Sequence, residues 1–475
     1  MAVSKINVLI FLGTTAIVWI YLFITLAERD VPQRTVNIKA DELLLAVENL
    51  QIQARNEQEE IRKLKNVVQR LSSDIFSQKV NKSSPAGVRR RQWQEPIAVV
   101  VFACNRPAAV TSLIEKLISF RQSKDLFPIT ISQDCDDIAV QRAVASFREK
   151  VNYIKHKSAQ QEGITVPSVH SRYSTYYYIA RHYKLALEYV FDMLGYNTVI
   201  LLEDDLDVSA DFFEYFSATR YLLDIDRKLW CVSAWNDNGK NGSIDLSANS
   251  LLYRSDFFSG LGWMMTRKLW KELGPKWPIG FWDDWLREPE IRNVGMDFYA
   301  TGFAKAFINN ALGFQGRQCI RPEISRTKMT LFGKAGASKG LFFDKHLAKV
   351  VLNTAPVVFT SMNLDYLLNP WYDKDFFRKV YEDSPLVSIE AALVFSMQKK
   401  NIGRSIRVEY TGNTDFILKA DKLHIMHDFK AGVPRTAYQG IVSCFMNGVR
   451  IFLVPNREHV KGYDKRWNVP ANYDK

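Results

Sequence analysis

The sequence is poor in cysteine and has no paired cysteine motif. Cys104, Cys135, Cys231, Cys319 and Cys444 are the five cysteines in 475 residues. No two stand at C-x-x-C spacing, which excludes zinc-ribbon and thioredoxin-type redox sites. In an oxidising compartment they allow two disulfides and one free thiol; in a reducing one they are five buried thiols. No G-x-G-x-x-G follows the first apolar strand and no G-x-x-x-x-G-K-[ST] occurs, so dinucleotide and P-loop readings are weak. No zinc-finger spacing or RNA-binding signature accompanies the net charge of +12, and basic residues are scattered apart from Arg89-Arg90-Arg91. That balance fits a membrane surface or small anionic substrates, with no nucleic acid as partner.

The N-terminus carries the one long apolar run. After a short tail, residues 1–5, Ile6 to Ala27 is long enough to span a bilayer, with Lys5 before it and Glu28-Arg29-Asp30 after it. The run exceeds a signal-peptide core and no small-x-small cleavage site follows, so an uncleaved signal anchor is expected. Residues 28–95 form a stem. Leu43, Leu44, Val47, Leu50, Ile61, Leu64, Val68 and Leu71 recur at roughly helical spacing, either as a plain tether or as a weak coiled coil able to pair two copies. Ser83 to Arg91, with Pro85 and Gly87, reads as a linker. The sequons at Asn81 and Asn241 are compatible with a lumenal body.

The body begins near Pro96. Strands are expected at Ile97–Ala103, Phe127–Gln133, Val151–Lys155 and Val199–Leu202, alternating with helices at Val110–Phe120, Ile138–Lys150 and Tyr176–Leu194. That alternation implies an α/β fold with a mostly parallel sheet. The fourth strand runs into Glu203-Asp204-Asp205-Leu206-Asp207. Carboxylates at the end of a buried strand are costly unless compensated. A hard divalent cation with a diphosphate in its shell would compensate them, at the strand ends where α/β proteins collect ligands. The plainer alternative is an acidic turn capping the helix from Asp211 to Leu223. Arg106 after the first strand and Asp134 after the second complete a polar edge suited to a nucleotide.

A series of stretches then carries a resemblance. They are Phe102-Ala103-Cys104-Asn105-Arg106, Ser132-Gln133-Asp134-Cys135, Ile179-Ala180-Arg181-His182-Tyr183, Glu203-Asp204-Asp205, Phe281-Trp282-Asp283-Asp284-Trp285, Ile320-Arg321-Pro322-Glu323 and Gly432-Val433-Pro434-Arg435. Through them the chain resembles the N-acetylglucosaminyltransferase I family over roughly residues 96 to 467. The resemblance implies a GT-A nucleotide-sugar transferase fold, with a catalytic domain over 96–330 and a lid loop and smaller C-terminal domain over 331–475. It implies a single-pass type II Golgi membrane protein. Such a protein moves GlcNAc from UDP-GlcNAc, with inversion and Mn²⁺, to the 2-hydroxyl of the α1,3-arm mannose of Man5GlcNAc2. By the same resemblance Asp205 is the metal ligand, Asp204 meets the ribose and Glu203 the donor sugar. Arg106, Asp134 and His182 surround the uridine. The pairs Cys104–Cys135 and Cys231–Cys319 are disulfides and Cys444 is free.

An inverting transfer is a single displacement, and needs one acid on the metal and another near the acceptor hydroxyl. Asp283 suits the second role: the preceding Phe281-Trp282 would raise its pKa and offer a ring, Trp282, to a sugar face. Its alternative role is helix N-capping. Phe332 to Gly340 is expected as a donor-ordered lid. His424 and His427 beside Asp428 suggest either a metal pair or an ordinary solvated pair. The pattern departs from the family at residues 293–315, an apolar and aromatic insert between W-D-D-W-x-R-x-P-E-x-R and G-R-x-C-x-R-P-E. Either it is translated non-coding sequence, or it is a real helix over Gly302–Leu312 on the acceptor side. A real insert would endanger Cys231–Cys319 pairing or narrow acceptor access. Two rival functions remain. A protein O-mannose β1,2-GlcNAc transferase has related motifs but carries a lectin-like stem domain, for which residues 28–95 are too short. A catalytically inactive glycan-binding membrane protein would leave the intact acids unexplained.

Overall fold

The computed structural model describes residues 95–293, 316–336, 340 and 342–467. The expected tail, anchor and stem, and residues 294–315 of the insert, lie outside them. Among the described residues no helix is long and apolar enough to cross a membrane. Residues 91–475 form one compact unit.

Its centre is an eight-stranded sheet in the order β3-β2-β1-β4-β8-β6-β9-β7. The strands are β1 (Ala98–Ala103), β2 (Ile129–Gln133), β3 (Asn152–Lys155), β4 (Thr198–Glu203), β6 (Leu229–Ser233), β7 (Leu252–Ser255), β8 (Trp263–Thr266) and β9 (Gln318–Pro322). The half formed by β3, β2, β1 and β4 is parallel throughout. Every residue of β1 and β2 is buried, as expected of apolar strands covered on both faces. The other half is mixed: β8 runs antiparallel to β4 and β6, β9 is parallel to β6, and β7 is antiparallel to β9. A small ladder pairs β5 (Leu206–Val208) with β10 (Thr327–Met329), tying the acidic turn to the segment that leads into Phe332–Gly333.

The helices follow local rules. α1 (Pro107–Phe120) starts with proline at N1, where no backbone donor is lost. α2 (Ile138–Ala145) is capped by Asp137, which accepts from Val140 N at 2.8 Å. It ends sooner than the expected Lys150, which lies in a 3₁₀ turn. α3 (Ser174–Leu187) continues as a π-helical turn to Met193. α4 (Phe212–Ile225) follows the acidic turn, and α5 (Trp282–Arg287) follows Phe281, whose φ of 52° is left-handed.

The C-terminal part has its own sheet. β11 (Ser405–Tyr410) runs parallel to β13 (Val449–Pro455), which pairs antiparallel with β12 (Val442–Met446). Its core takes in Phe257 from the catalytic part. Buried ion pairs join the parts: Arg435 with Asp237 at 2.7 Å and Arg450 with Glu323 at 2.8 Å. A split between two bodies would take from Asp237 and Glu323 their guanidinium partners.

Both cysteine pairs implied by the resemblance are bonded, and Cys444 is a buried free thiol. Cys231 and Cys319 are directly opposed on β6 and β9, so the insert does not prevent their pairing. The ends of the insert explain this. Arg317 N donates to Arg292 O at 2.9 Å, and a Cβ on Gly316 would lie 2.9 Å from Asn293 Oδ1. The chain thus leaves and re-enters the fold at one point. Joining Asn293 to Gly316 removes a loop whose closure opposes folding. Deletion of residues 294–315 is therefore expected to keep the melting temperature within about 3 °C of the parent or to raise it, with both disulfides intact. Differential scanning calorimetry checks this; a large drop would mean that the insert supports the core.

Candidate active site

The site sits where the parallel half of the sheet ends. Phe102 on β1 is the Cα partner of Ser132 on β2 and of Glu203 on β4. One row across three strands therefore brings Ser132, Phe102 and Glu203 side by side, and the residues just beyond it, Arg106, Asp134, Asp204 and Asp205, to a common edge. The Cys104–Cys135 disulfide ties the ends of β1 and β2 there. Neither Asp211 at the start of α4 nor Phe281 at the start of α5 makes a side-chain cap, so simple helix capping accounts for neither acid group.

At the β4 end, Arg106 neutralises two acids. Nη1 donates to Asp205 Oδ2 at 2.9 Å, and Nη2 pairs with Asp204 Oδ1. Nη1 also donates to Phe332 O in the lid at 3.1 Å. The acids at the end of the adjacent strand hold the guanidinium. Burial pushes Asp204 up to about 7 and raises Glu203, and Asp205 adds its charge to both; Arg106 opposes the rise. Asp204 Oδ2 and Asp205 Oδ1 are buried and have no hydrogen-bond partner among the described residues. Orphaned carboxylate oxygens are what a hard cation satisfies, so these residues fit one. They do not form a closed cage, which suits a cation sharing its shell with phosphate oxygens. Among the described residues, one set of three candidate ligand atoms converges, on Cys104, Asp134 and Cys135. Its sulfurs are spent in a disulfide, and it is no metal centre.

The start of the segment expected as a lid lies over Asp205. Thr330 donates to Asp205 O from its backbone N at 2.8 Å and its hydroxyl at 2.7 Å. A Cβ on Gly333 would stand 2.2 Å from Met329 Sδ and 3.4 Å from Asp205 Oδ2, so the lid approaches as backbone alone. Lys334 pairs with Asp344 at 3.1 Å. Residues 337–339 of the lid lie outside the described ones.

At the β2 end, Ser132 Oγ meets His182 Nε2 at 2.9 Å and His156 Nε2 at 3.0 Å, while His182 Nδ1 lies 3.5 Å from Asp134 Oδ1. Burial lowers His182 to about 3 and His156 to about 4, and Arg181 adds to both; burial raises Asp134 to about 6. Two neutral rings and a carboxyl offer the mixed donors and acceptors that a nucleobase edge requires. His156, one residue beyond β3, is absent from the sequence reading. The only signal was a histidine at the end of the third parallel strand.

On the remaining side, α5 carries Asp283 and Asp284. Asp283 Oδ2 accepts from Arg287 Nη1 at 2.8 Å, and its side chain is 36% exposed. Asp284 pairs with Arg287 at 2.9 Å and Lys430 at 3.1 Å. The aromatic wall expected against Asp283 is thus replaced by a guanidinium, because Trp282 turns inward. Only 5% exposed, Trp282 stacks on Tyr183 at 4.1 Å and backs onto Trp263 and Trp277. Its ring is core, which corrects the expectation of an open sugar-stacking face. Burial raises the pKa of Tyr183, and the charges of Glu203, Asp283 and Asp205 add to the rise. The C-terminal histidines form no metal pair, since His427 bonds Asp421 and Asp428 pairs with Arg435.

The depressed histidines set a signed pH dependence. Between the ordinary value of 6.5 and the folded values, the unfolded chain binds protons that the folded chain does not. Their contribution is complete above about 6.5 and is lost as pH falls toward 4, while Asp134 acts in the opposite direction. Melting temperature is expected to fall with a shallower slope from pH 6.5 to 4.5 in His156→Gln than in the parent. Equal slopes would show that His156 is not held neutral.

Comparison with known proteins agrees with this arrangement. A profile of the GNT-I family matches residues 10–299 and 298–467, two segments that meet inside the insert. An Arabidopsis thaliana relative, alpha-1,3-mannosyl-glycoprotein 2-beta-N-acetylglucosaminyltransferase, is 36% identical over 365 residues, covering 76% of this chain and 74% of the relative. Among solved structures, a Pyrobaculum calidifontis mannosyltransferase in complex with GDP-Man and Mn²⁺ overlaps 44% of this chain and 58% of its own, with 14% identity and a TM-score of 0.28. S. aureus TarS in complex with UDP-GlcNAc overlaps 37% and 47%, with 14% identity and a TM-score of 0.26. At such overlap neither structure informs on the chemistry of this chain.

Proposed function

The chain belongs to the GNT-I family, and from that premise we propose how its site performs the reaction, transfer of GlcNAc from UDP-GlcNAc in β1,2 linkage to the α1,3-arm mannose of Man5GlcNAc2 N-glycans. The observation that carries the reading is the row of strand ends at β2, β1 and β4. It places a nucleobase-compatible group, Asp134 and His182, beside the acid cluster with its orphaned oxygens. The uracil lies against Asp134 and His182, the ribose against Asp204 and the donor sugar against Glu203. Arg106 holds Asp204 and Asp205 in place and joins them to the lid through Phe332. Asp205 holds a divalent cation, Mn²⁺ by the family resemblance, which when bound neutralises charge growing on the leaving diphosphate.

Asp283 takes the acceptor proton. Its exposed carboxylate faces outward at the first turn of α5, and Arg287 fixes its direction. As Asp283 removes its proton, the mannose 2-hydroxyl oxygen attacks the anomeric carbon from the face opposite the diphosphate; the new C1–O bond forms as the C1–O bond to UDP breaks, which inverts the centre in one step. The lid excludes water that would otherwise compete with the acceptor. The fold is of the GT-A kind, with the catalytic part over 96–330 and the lid and smaller domain over 331–475. Residues 6–27 anchor the protein in the Golgi membrane as a type II protein, and the stem over 28–95 spaces the body from it and is available for pairing with a second copy.

The test is β1,2 transfer to Man5GlcNAc2 by the purified full chain. Activity is expected with Mn²⁺ and not with EDTA. Asp283→Asn is expected to lower transfer about 100-fold or more while leaving UDP binding within about 2-fold. Asp205→Ala is expected to abolish the metal-dependent part of both. Asp283→Asn with full activity would remove Asp283 as base; transfer unaffected by EDTA would remove the cation.

A further inference from the structure

We propose that Tyr183 is a positioning residue that sets recognition of the donor sugar. Its hydroxyl aims the Glu203 carboxylate, and its ring locks that carboxylate to the helix bearing Asp283. The inference rests on the functional reading above, which places the sugar against Glu203 and the acceptor hydroxyl against Asp283.

Tyr183 Oη donates to Glu203 Oε1 at 3.1 Å. Glu203 Oε2 makes no hydrogen bond among the described residues and is left for a sugar hydroxyl. The phenol has little freedom to wander. Its ring is 1% exposed and lies between Phe102, at 3.9 Å and 13° between planes, and Trp282, at 4.1 Å and 25°. Phe102 is itself the strand partner of Glu203, and Trp282 is the residue before Asp283. One stack therefore runs from the strand row, through Tyr183, to the first turn of α5. A buried tyrosine needs a partner for its hydroxyl, and a partly buried carboxylate needs a donor. Each meets the other's requirement here, so the pair has one arrangement.

The sequence of α3 adds a second point. His182, the preceding residue, turns to Ser132 and Asp134 at the β2 end. Consecutive residues of one helix thus serve the base and the sugar of the same donor. A tyrosine that merely filled the core would not need its hydroxyl on Glu203, and its loss would not distinguish one sugar from another.

Tyr183→Phe keeps the stack and removes the hydroxyl. The experiment measures steady-state transfer by the full chain to Man5GlcNAc2 with UDP-GlcNAc, UDP-GalNAc and UDP-glucose as donors. UDP affinity is measured alongside by calorimetry. In Tyr183→Phe, kcat/KM for UDP-GlcNAc is expected to fall about 10- to 100-fold. Its preference over UDP-GalNAc is expected to shrink about 10-fold, while UDP affinity and the acceptor KM stay within about 2-fold. In a Glu203→Gln background the same change is expected to add less than about 2-fold. Unchanged donor preference, or full additivity with Glu203→Gln, overturns the inference. Should Tyr183→Phe lose UDP binding altogether, Phe102→Leu thins the stack but keeps the hydroxyl. Loss of donor preference there supports the inference, and retained preference overturns it. A parent chain that binds UDP yet transfers no sugar overturns the functional reading instead.

Discussion

The cost of holding three consecutive acids at the end of a buried strand governs this molecule. Each carboxylate brought out of water costs on the order of several kcal/mol unless paired. Glu203, Asp204 and Asp205 share one guanidinium from Arg106 and one phenol from Tyr183, and two buried oxygens still accept nothing. A fold optimised only for stability would replace such a cluster with apolar side chains. Its retention makes sense where a cation and a donor complete it. The remaining devices nearby serve the same end: a disulfide across the ends of β1 and β2, a lid that meets Asp205 with backbone, and an aromatic stack beneath Glu203.

The first half of the fold was legible because its signals are local. Apolar runs such as Ala98–Ala103 are strands when helices alternate with them, and the parallel half follows from the right-handed crossovers. The second half was not legible in the same way. β8, only four residues long, inserts antiparallel between β4 and β6, an order that no local pattern specifies. The mixed pairing arises from where the segment after β7 returns, which is a tertiary choice.

The site divides along the same line. Asp134, Asp204 and Asp205 could be found from strand ends alone. Arg106 stands at such an end too, but its ion-pair partners depend on strand order: β4 lies next to β1, so Asp204 and Asp205 reach its guanidinium. His156 needed the knowledge that β3 lies beside β2 and that Ser132 faces across it. Trp282 shows the limit of reading from composition. An aromatic next to an acid suggests an exposed wall, yet Trp282 enters the core, while Arg287, one helical turn on at i+4, meets Asp283. Which face of α5 meets the core is set by its packing against Tyr183, Trp263 and Trp277, which no local pattern specifies.

The same packing decides how the two halves of the chemistry are joined. Because Trp282 points inward, it reaches Tyr183 and is held by Trp263 and Trp277 behind it. Because Asp283 follows it in the chain, the next side chain projects on the open side of the same helical turn. An exposed tryptophan would have offered a sugar one more ring, but it would have left α5 free to move relative to β4. Packing densities like those of crystals transmit small shifts rather than absorb them. A buried stack therefore fixes the separation between the acid facing the acceptor and the acid facing the donor. In a displacement that must form one bond as another breaks, that separation is the quantity the fold has to hold constant.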